Sequence, residues 1–400
     1  MPKPSVCCLI ITYNPTADVL GDCLDSLAAQ THKPDRILIA DNHSATSDTV
    51  ASLKREGVEK LMLRRNWGFS GAINRALRGI DEDFVLVMNF DIILDKLFID
   101  EALKGFADDD VMCVAGKTLF YGDRRVIDNT GTLVNGLMSA YNRGVGQIDI
   151  GQYDLSDRPM GACFAAALIR RKAFAPEYVG WMDDRYFLYY EDVDWCYRMN
   201  IYGYRASYVP SAVAYHHHSL TTRGKGLMFK YYYIQRNLLY TIVKNMRLRT
   251  SMKLLAMHFI YHTRRARVER KFRPVTLKIY SSLLISLPCL LLQRLSIQRR
   301  RKASDTDIIN LSIGERSHLD DILLTPKVSW DNLADIYSRL ARVRGDENIR
   351  GLADILHAAA EVDKINTDMA NEIRELFKNE DERIRDMLNK LFKKNAGDVT

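Results

Sequence analysis

An α/β fold is the expectation for this chain, and three observations carry it. Short continuous apolar runs at 6–12, 36–40 and 84–88 read as buried strands, and 58–64 as a further strand between them. Stretches of helical periodicity lie between them, and turn-forming residues punctuate the changes. Polar residues that include Asp41 and Asp91 fall just past the apolar runs. Strands alternating with helices imply a Rossmann-like, mainly parallel sheet with flanking helices and a ligand crevice at the carboxyl ends of the strands.

The first run breaks at Asn14 and Pro15, after which Leu20, Leu24, Leu27 and Ala28 recur at helical spacing. The second run closes on Asp41, and the Ser, Thr and Asp residues up to Asp48 suit the cap of a following helix. A third strand is expected over 58–64, a helix over 69–80, and a fourth strand over 84–88 that ends at Asn89 and Asp91. Residues 111–152, rich in Gly and Asn, read as irregular strands and loops, and 161–169 as another buried run.

The chemistry concentrates in FLYYEDVDWCYR at 187–198 and YHHH at 215–218. Glu191, Asp192 and Asp194 lie close together, and crowded carboxylates in a partly closed site disfavour each other's ionisation, which tunes one toward general-base work. Asp192 is the first candidate. Arg198 follows Asp194 by four residues, so a helix would pair them as ions. A histidine downstream of the acidic group is either a metal ligand or a hydrogen-bonded core residue. Trp181, Tyr186, Tyr189, Tyr190 and Trp195 surround the cluster, and their flat faces suit either sugar stacking or, more commonly, core packing.

At 400 residues, with 47% apolar and 27% charged composition, the chain has material for a large core and more than one domain, which excludes disorder as its main character. The net charge of +7 is local: residues 1–239 hold 27 Lys+Arg against 29 Asp+Glu, 240–302 hold 16 against 1, and 303–400 hold 14 against 20. Seven cysteines without paired metal spacing indicate neither a zinc site nor a disulfide framework, so a reducing, cytoplasmic setting is expected. The first residues lack the pattern of a signal peptide.

Three regions are expected: 1–240 catalytic, 241–302 basic and apolar, and 303–400 α-helical. Within the second, the apolar stretch 277–292 is flanked by Arg264, Arg265, Arg267, Arg270, Lys271 and Arg273 on one side and Arg294 and 299–302 on the other. It is shorter than the roughly 20 residues that span a bilayer and contains Pro288, so an interfacial or re-entrant helix on an anionic membrane surface is expected. A buried helix in a basic domain is the alternative. Nucleic acid is not supported, since no zinc-finger, ribonucleoprotein or helix-turn-helix pattern accompanies the arginines. The third region reads as amphipathic helices, among them 330–344 and 373–392, suited to a homo-oligomer.

The first 240 residues resemble family 2 glycosyltransferases, the inverting GT-A class that includes bacterial rhamnosyl- and galactofuranosyltransferases of surface polysaccharides. The resemblance rests on IITYN at 10–14, ADNHS at 40–44, NWGFSGAIN at 66–74, MNFD at 88–91, Gly161 with Ala162, EDVDW at 191–195 with Arg198, Gly203 with Tyr204, His216, and YYIQRN at 232–237. Each is weak singly; their order and spacing together are specific.

The resemblance implies a GT-A fold and transfer from a nucleotide-sugar donor, TDP-rhamnose or UDP-galactofuranose, to a hydroxyl of a lipid-linked glycan. Asp192 would be the base and Glu191 an orienting partner. Asp91 and His216 would hold Mn²⁺ or Mg²⁺, with His217 and His218 near enough that the choice of His216 rests on the resemblance. Asn89 stands where the motif's leading residue is often Asp, which removes one carboxylate. Asp41 would meet the nucleotide base, with Thr12, Asn14, Asn66 and Asn74 lining the same pocket. Arg198 and Arg236 would face phosphate, and Trp181, Asp183, Tyr190 and Trp195 the acceptor. The implied location is the cytoplasmic face of the cell membrane, as a peripheral protein. The rival readings are a catalytically silent scaffold that binds glycan or partner enzymes, and a nucleotidyltransferase. The second lacks a glycine-rich, lysine-bearing loop after the first strand.

Overall fold

The computed structural model describes residues 3–45, 47–147, 149, 151, 153–155, 158–217 and 226–313. His218, the helices expected at 330–344 and 373–392, and any self-association through them lie outside the described residues.

Strands β1 (Val6–Thr12), β2 (Arg36–Asp41), β3 (Val58–Met62) and β4 (Phe84–Asn89) form the parallel half of one large sheet, ordered β3-β2-β1-β4. Helices α1 (Ala17–Ala28), α2 (Ser47–Ala51) and α3 (Gly68–Ala76) connect them. Every residue of β1 is buried. Because side chains alternate across a strand, Cys7, Leu9 and Ile11 join one core and Val6, Cys8 and Ile10 the other. β1, β2 and β4 are largely buried on both faces and so read as apolar runs, whereas β3, at the sheet edge, leaves Glu59, Lys60 and Met62 exposed.

The second half is mixed. After β5 (Ile92–Leu94) and α4 (Phe98–Lys104), β6 (Val111–Phe120) runs for ten buried residues. β7 (Ile127–Asn129) lies on β6, β8 (Thr132–Val134) and β9 (Ala140–Asn142) make a small hairpin sheet, and β10 (Ala166–Arg170) inserts antiparallel between β4 and β6. Helix α5 (Glu191–Ile201) precedes β11 (Arg205–His216), which pairs parallel with β6 and antiparallel with β5. The irregular strands and loops expected across 111–152 are present, with β6 the longest strand and shifted in register against β11. All ten residues of β6 are buried, so no alternation marks it.

Helix α6 (Leu227–Asn245) runs through residue 240, so the expected domain boundary falls inside a helix. It packs against α5 and against α8 (Arg273–Arg299), with α7 (Leu248–Val268) between them in the chain and α9 (Asp305–Ile313) after. The apolar stretch 277–292 is part of α8, which continues through Pro288 for 27 residues, about 40 Å. The premise that this segment is too short to span is corrected: residues 270–299 are long and apolar enough to cross a membrane by length and composition.

One side of α8 is tied to the catalytic half. Tyr232 and Tyr240 meet Ser282 and Ser286, and Arg294 donates to the carbonyls of Val243 and Met246. The opposite side exposes Leu277, Leu284, Ile285, Leu292 and Leu295 at helical spacing, with Leu284, Ile285 and Leu292 at 69%, 79% and 68%. Exposed Phe259 of α7 stacks on Tyr280 beside that stripe.

α3 begins at Gly68, whose φ is +73° and whose missing Cβ leaves room for the Phe187 carbonyl: an added Cβ would lie 2.2 Å from that oxygen. The Phe69 amide donates to the same carbonyl at 2.6 Å. Gly68→Ala is expected to lower stability by more than about 2 kcal/mol, from the left-handed backbone and the clash together, read as a fall in the urea unfolding midpoint.

Candidate active site

Asp192 sits in the first turn of α5. One carboxylate oxygen accepts from the Val193 amide at 2.7 Å and the other from the Phe164 amide at 3.3 Å, and the side chain is half-buried. Burial raises its pKa above the ordinary aspartate value against those hydrogen bonds. Glu191 is buried beside it, lifted well above the usual glutamate range by burial and then by the charge of Asp192. The 161–165 loop passes directly beneath. Gly161 has no room for a Cβ because Cys196 of α5 occupies that space at 2.4 Å, and Ala162 accepts from the Cys196 thiol.

The expected crowding of three carboxylates is corrected to two. Positions 192 and 194 point about 200° apart on a helix, and Asp194 turns into the core. There it accepts from Lys244 at 2.8 Å, Asn245 at 2.7 Å and Tyr186 at 3.0 Å. The expected Asp194–Arg198 pair is not formed, and Arg198 instead donates to the Trp181 carbonyl at 2.8 Å. Lys244, wholly buried, also reaches Asp183 at 2.9 Å.

The chain arrives at Asp192 through an unusual backbone. Phe187, Tyr189 and Tyr190 have φ of 64°, 65° and 68°, the left-handed region that bulky residues avoid. α6 fixes this segment by its carbonyls. Arg236 donates to those of Arg185 and Tyr186, both at 2.8 Å, and Asn237 to those of Tyr186, Leu188 and Tyr189 at 2.9, 2.9 and 2.6 Å.

A second cluster forms where strands end. Asp91 immediately precedes β5, and Ile92 pairs with His216 at the end of β11. Both side chains are buried, with His216 Nε2 3.4 Å from Asp91 Oδ1. His216 Nδ1 lies 2.8 Å from Asp128 Oδ2, a buried carboxylate on β7. Burial alone would lower the His216 pKa, but the two carboxylates push it up to about 10. Asp128 was missed in the sequence, where a lone aspartate between Ile127 and Asn129 carries no motif. His217 stacks on Tyr121, and its amide donates to the Asp91 carbonyl, so of these two histidines it is His216 whose ring meets Asp91. The Cys163 thiol is pushed up first by burial, then by the charge of Asp192, with Asp128 and Glu191 contributing.

A third group lies at the ends of β1 and β2. Asp41 accepts from Thr12 Oγ1 at 2.9 Å, from the Ser44 hydroxyl, and from the Ser44 amide at 3.0 Å. Asn14 joins through the Ser44 hydroxyl and the Ala45 amide. Asn66 accepts from Asn42 and from the Gly68 amide, shaping the turn into α3. Half-buried Asn89 ends β4 opposite Ile11, its amide donating to Ala165.

Several expected roles are corrected by these contacts. Asn74 is committed to the main chain of Met182 and to Asp184, tying α3 to the 182–184 turn instead of lining a donor pocket. Arg236 and Arg198 donate to main-chain carbonyls. Trp195 is wholly buried against Phe164 and Phe174, with its indole donating to the Gly180 carbonyl, so it has no surface for an acceptor. Asp183 is buried between Lys244 and Arg185, and those cations hold its carboxyl well below the usual range despite burial. Tyr190 is buried with its hydroxyl between Met138 O and the Ala140 amide. Trp181, 37% exposed, keeps a free face.

A mixed sheet with acidic residues at its strand ends, together with the acidic first turn of α5, matches the GT-A fold of glycosyltransferases. The family model for glycosyl transferase family 2 matches residues 7–175. The chain is 30% identical over 235 residues to N-acetylglucosaminyl-diphospho-decaprenol L-rhamnosyltransferase of Mycobacterium tuberculosis (strain CDC 1551 / Oshkosh), covering 53% of this chain and 76% of that one. It is 24% identical over 238 residues to the O-antigen biosynthesis protein RfbC of Myxococcus xanthus, covering 56% of this chain and 18% of that one. Among solved structures it is similar to GalNAc-T7 with UDP, GalNAc and Mn²⁺, at a TM-score of 0.50 and 12% identity, over 71% of this chain and 57% of that one. The chain belongs to glycosyl transferase family 2, and it is a glycosyltransferase.

Replacing Lys244 with Met should cost about 3–5 kcal/mol, because Asp194 is left buried without its cation. Adding Asp194→Asn should recover part of that loss, measured by urea unfolding of both variants.

Proposed function

We propose that this enzyme moves a sugar, with inversion, from a nucleotide-sugar donor to a hydroxyl of a lipid-linked glycan during cell-surface polysaccharide synthesis. The observation that carries the reading is a half-buried Asp192 at the start of α5, held by the Val193 and Phe164 amides, in a chain that also buries the Asp91–His216 pair at its strand ends. TDP-rhamnose is the favoured donor, with UDP-galactofuranose behind it. The similarity to an enzyme named for rhamnosyl transfer to N-acetylglucosaminyl-diphospho-decaprenol supports both the sugar and the lipid carrier.

Asp192 takes the proton from the acceptor hydroxyl as that oxygen attacks the anomeric carbon opposite the departing diphosphate. Glu191, buried beside it, holds the base or the acceptor in place. Asp41 and Thr12, with Asn14 held nearby, support the nucleotide, and Asn89 faces the donor from the end of β4. Trp181 offers its exposed face to the acceptor.

The donor set of Asp91 and His216 fits Mn²⁺, or Mg²⁺ through the carboxylate. Among the described residues no group of three or more His, Cys, Asp and Glu side chains is placed to hold a metal ion. The protein would therefore supply two ligands, with diphosphate oxygens and water completing the shell, as is common for such cations. A cation held there would offset the charge that develops on the leaving diphosphate.

Asp192→Asn should reduce transfer from TDP-rhamnose at least about 100-fold while leaving donor-induced thermal stabilisation intact. In the native enzyme the raised pKa puts the acidic limb of kcat/KM above the ordinary aspartate range: activity is full above it and is lost as pH falls through it. Undiminished transfer by the variant would sink the mechanism.

We also propose a peripheral seat on the cytoplasmic membrane face, through the exposed apolar stripe of α8 and its arginine-rich ends. A helix bound along one side to the catalytic half cannot cross a bilayer without drawing the polar core of α6 in with it. Binding to vesicles containing anionic lipid should fall at least about tenfold in Leu284→Glu/Leu292→Glu, and high salt should weaken it, measured by flotation.

A further inference from the structure

We infer that Asp128 is a positioning residue for His216, holding the imidazole so that Nε2 faces Asp91. This rests on the reading of Asp91 and His216 as the metal-binding pair. The geometry is that of a carboxylate behind a ligating histidine. Asp128 Oδ2 lies 2.8 Å from Nδ1, on the ring edge away from Nε2, which approaches Asp91 Oδ1 at 3.4 Å. A partner on the far nitrogen fixes the tautomer and plane of a histidine ligand and raises its basicity. All three side chains are buried, so solvent does not compete for the ring.

The fold aims Asp128 there by a local irregularity. β7 pairs with β6 as Thr118 opposite Asn129 and Leu119 opposite Ile127. One step along β6 therefore matches two along β7, and Asp128 is the extra residue, a bulge that redirects its side chain. β11 flanks the other edge of β6, where Phe120 stands opposite His216. The bulge thus brings a carboxylate from one edge of β6 toward a histidine on the other. Regular pairing would leave no residue at 128 free of the ladder.

The test is Mn²⁺ affinity in the presence of UDP and, separately, TDP, followed by the electron paramagnetic resonance signal of free Mn²⁺. Asp128→Asn keeps the volume of the side chain but lets the imidazole adopt the other tautomer, with the proton on Nε2. It should weaken Mn²⁺ binding about 10–100-fold and raise the donor KM with the acceptor KM unchanged. Asp128→Glu, which retains a carboxylate, should bind more tightly than the asparagine variant. It is also the second variant should the asparagine form not fold by circular dichroism. In an His216→Ala background, Asp128→Asn should have no further effect, because Asp128 acts through that ring.

Native-like Mn²⁺ affinity in folded Asp128→Asn would overturn the inference, as would equal losses in the Asn and Glu variants or an undiminished effect without His216. If only Asp91→Asn and His216→Ala lose Mn²⁺, the metal reading stands and the role of Asp128 fails alone. If the native enzyme binds no Mn²⁺ with either nucleotide, both fall together.

Discussion

The arrangement around Asp192 depends on a short stretch of backbone held where it would not go by itself. Three bulky residues in the left-handed region, each costing on the order of 1–3 kcal/mol, lead into α5. Hydrogen bonds from Arg236 and Asn237 to the carbonyls of Arg185, Tyr186, Leu188 and Tyr189, and from the Phe69 amide to that of Phe187, over-determine the segment. The strain sets the angle at which α5 starts and hence where its first two carboxylates face. α6 is therefore part of the catalytic unit although it follows the cluster by some forty residues. Gly68 is fixed by the same requirement, since no side chain fits between α3 and that loop.

Charge is sorted by helix geometry and burial. Asp192 and Asp194 are two residues apart and meet opposite environments: one keeps a half-buried carboxylate against main-chain amides, the other is neutralised in the core by Lys244. Asp183, from the turn before α5, shares that lysine. The cationic partner comes from α6 in both cases, so the helix that clamps the loop also anchors the far side of α5. Desolvation, more than mutual repulsion, lifts Asp192 and Glu191, because the third carboxylate has been removed from the group.

Much of this was legible in the sequence. β1, β2 and β4 showed as apolar runs because both faces of each are largely covered, and Asp41 and Asp91 fell at strand ends because a parallel sheet opens there. α5 and its acidic start were visible as a motif, as was the pair of Asp91 with His216 through resemblance. The structure gives Asn74, Arg198, Arg236, Asp183 and Trp195 contacts within the protein that their motifs did not announce. Each belongs to a motif, but a motif does not say whether its members touch substrate or support those that do.

The sequence by itself determined the α/β class, the parallel half of the sheet and the acidic cluster, since all three follow from local periodicity and residue type. It also placed the apolar stretch of α8, though not its length, because the flanking polar residues hide the continuing helix. Only the tertiary structure decided which carboxylate stays free, which cations are structural, and that Asp128 stands behind His216. Those outcomes depend on contacts between residues 50 to 90 positions apart and on one bulge in β7, and neither long-range pairing nor strand register is written in the neighbours of a single residue.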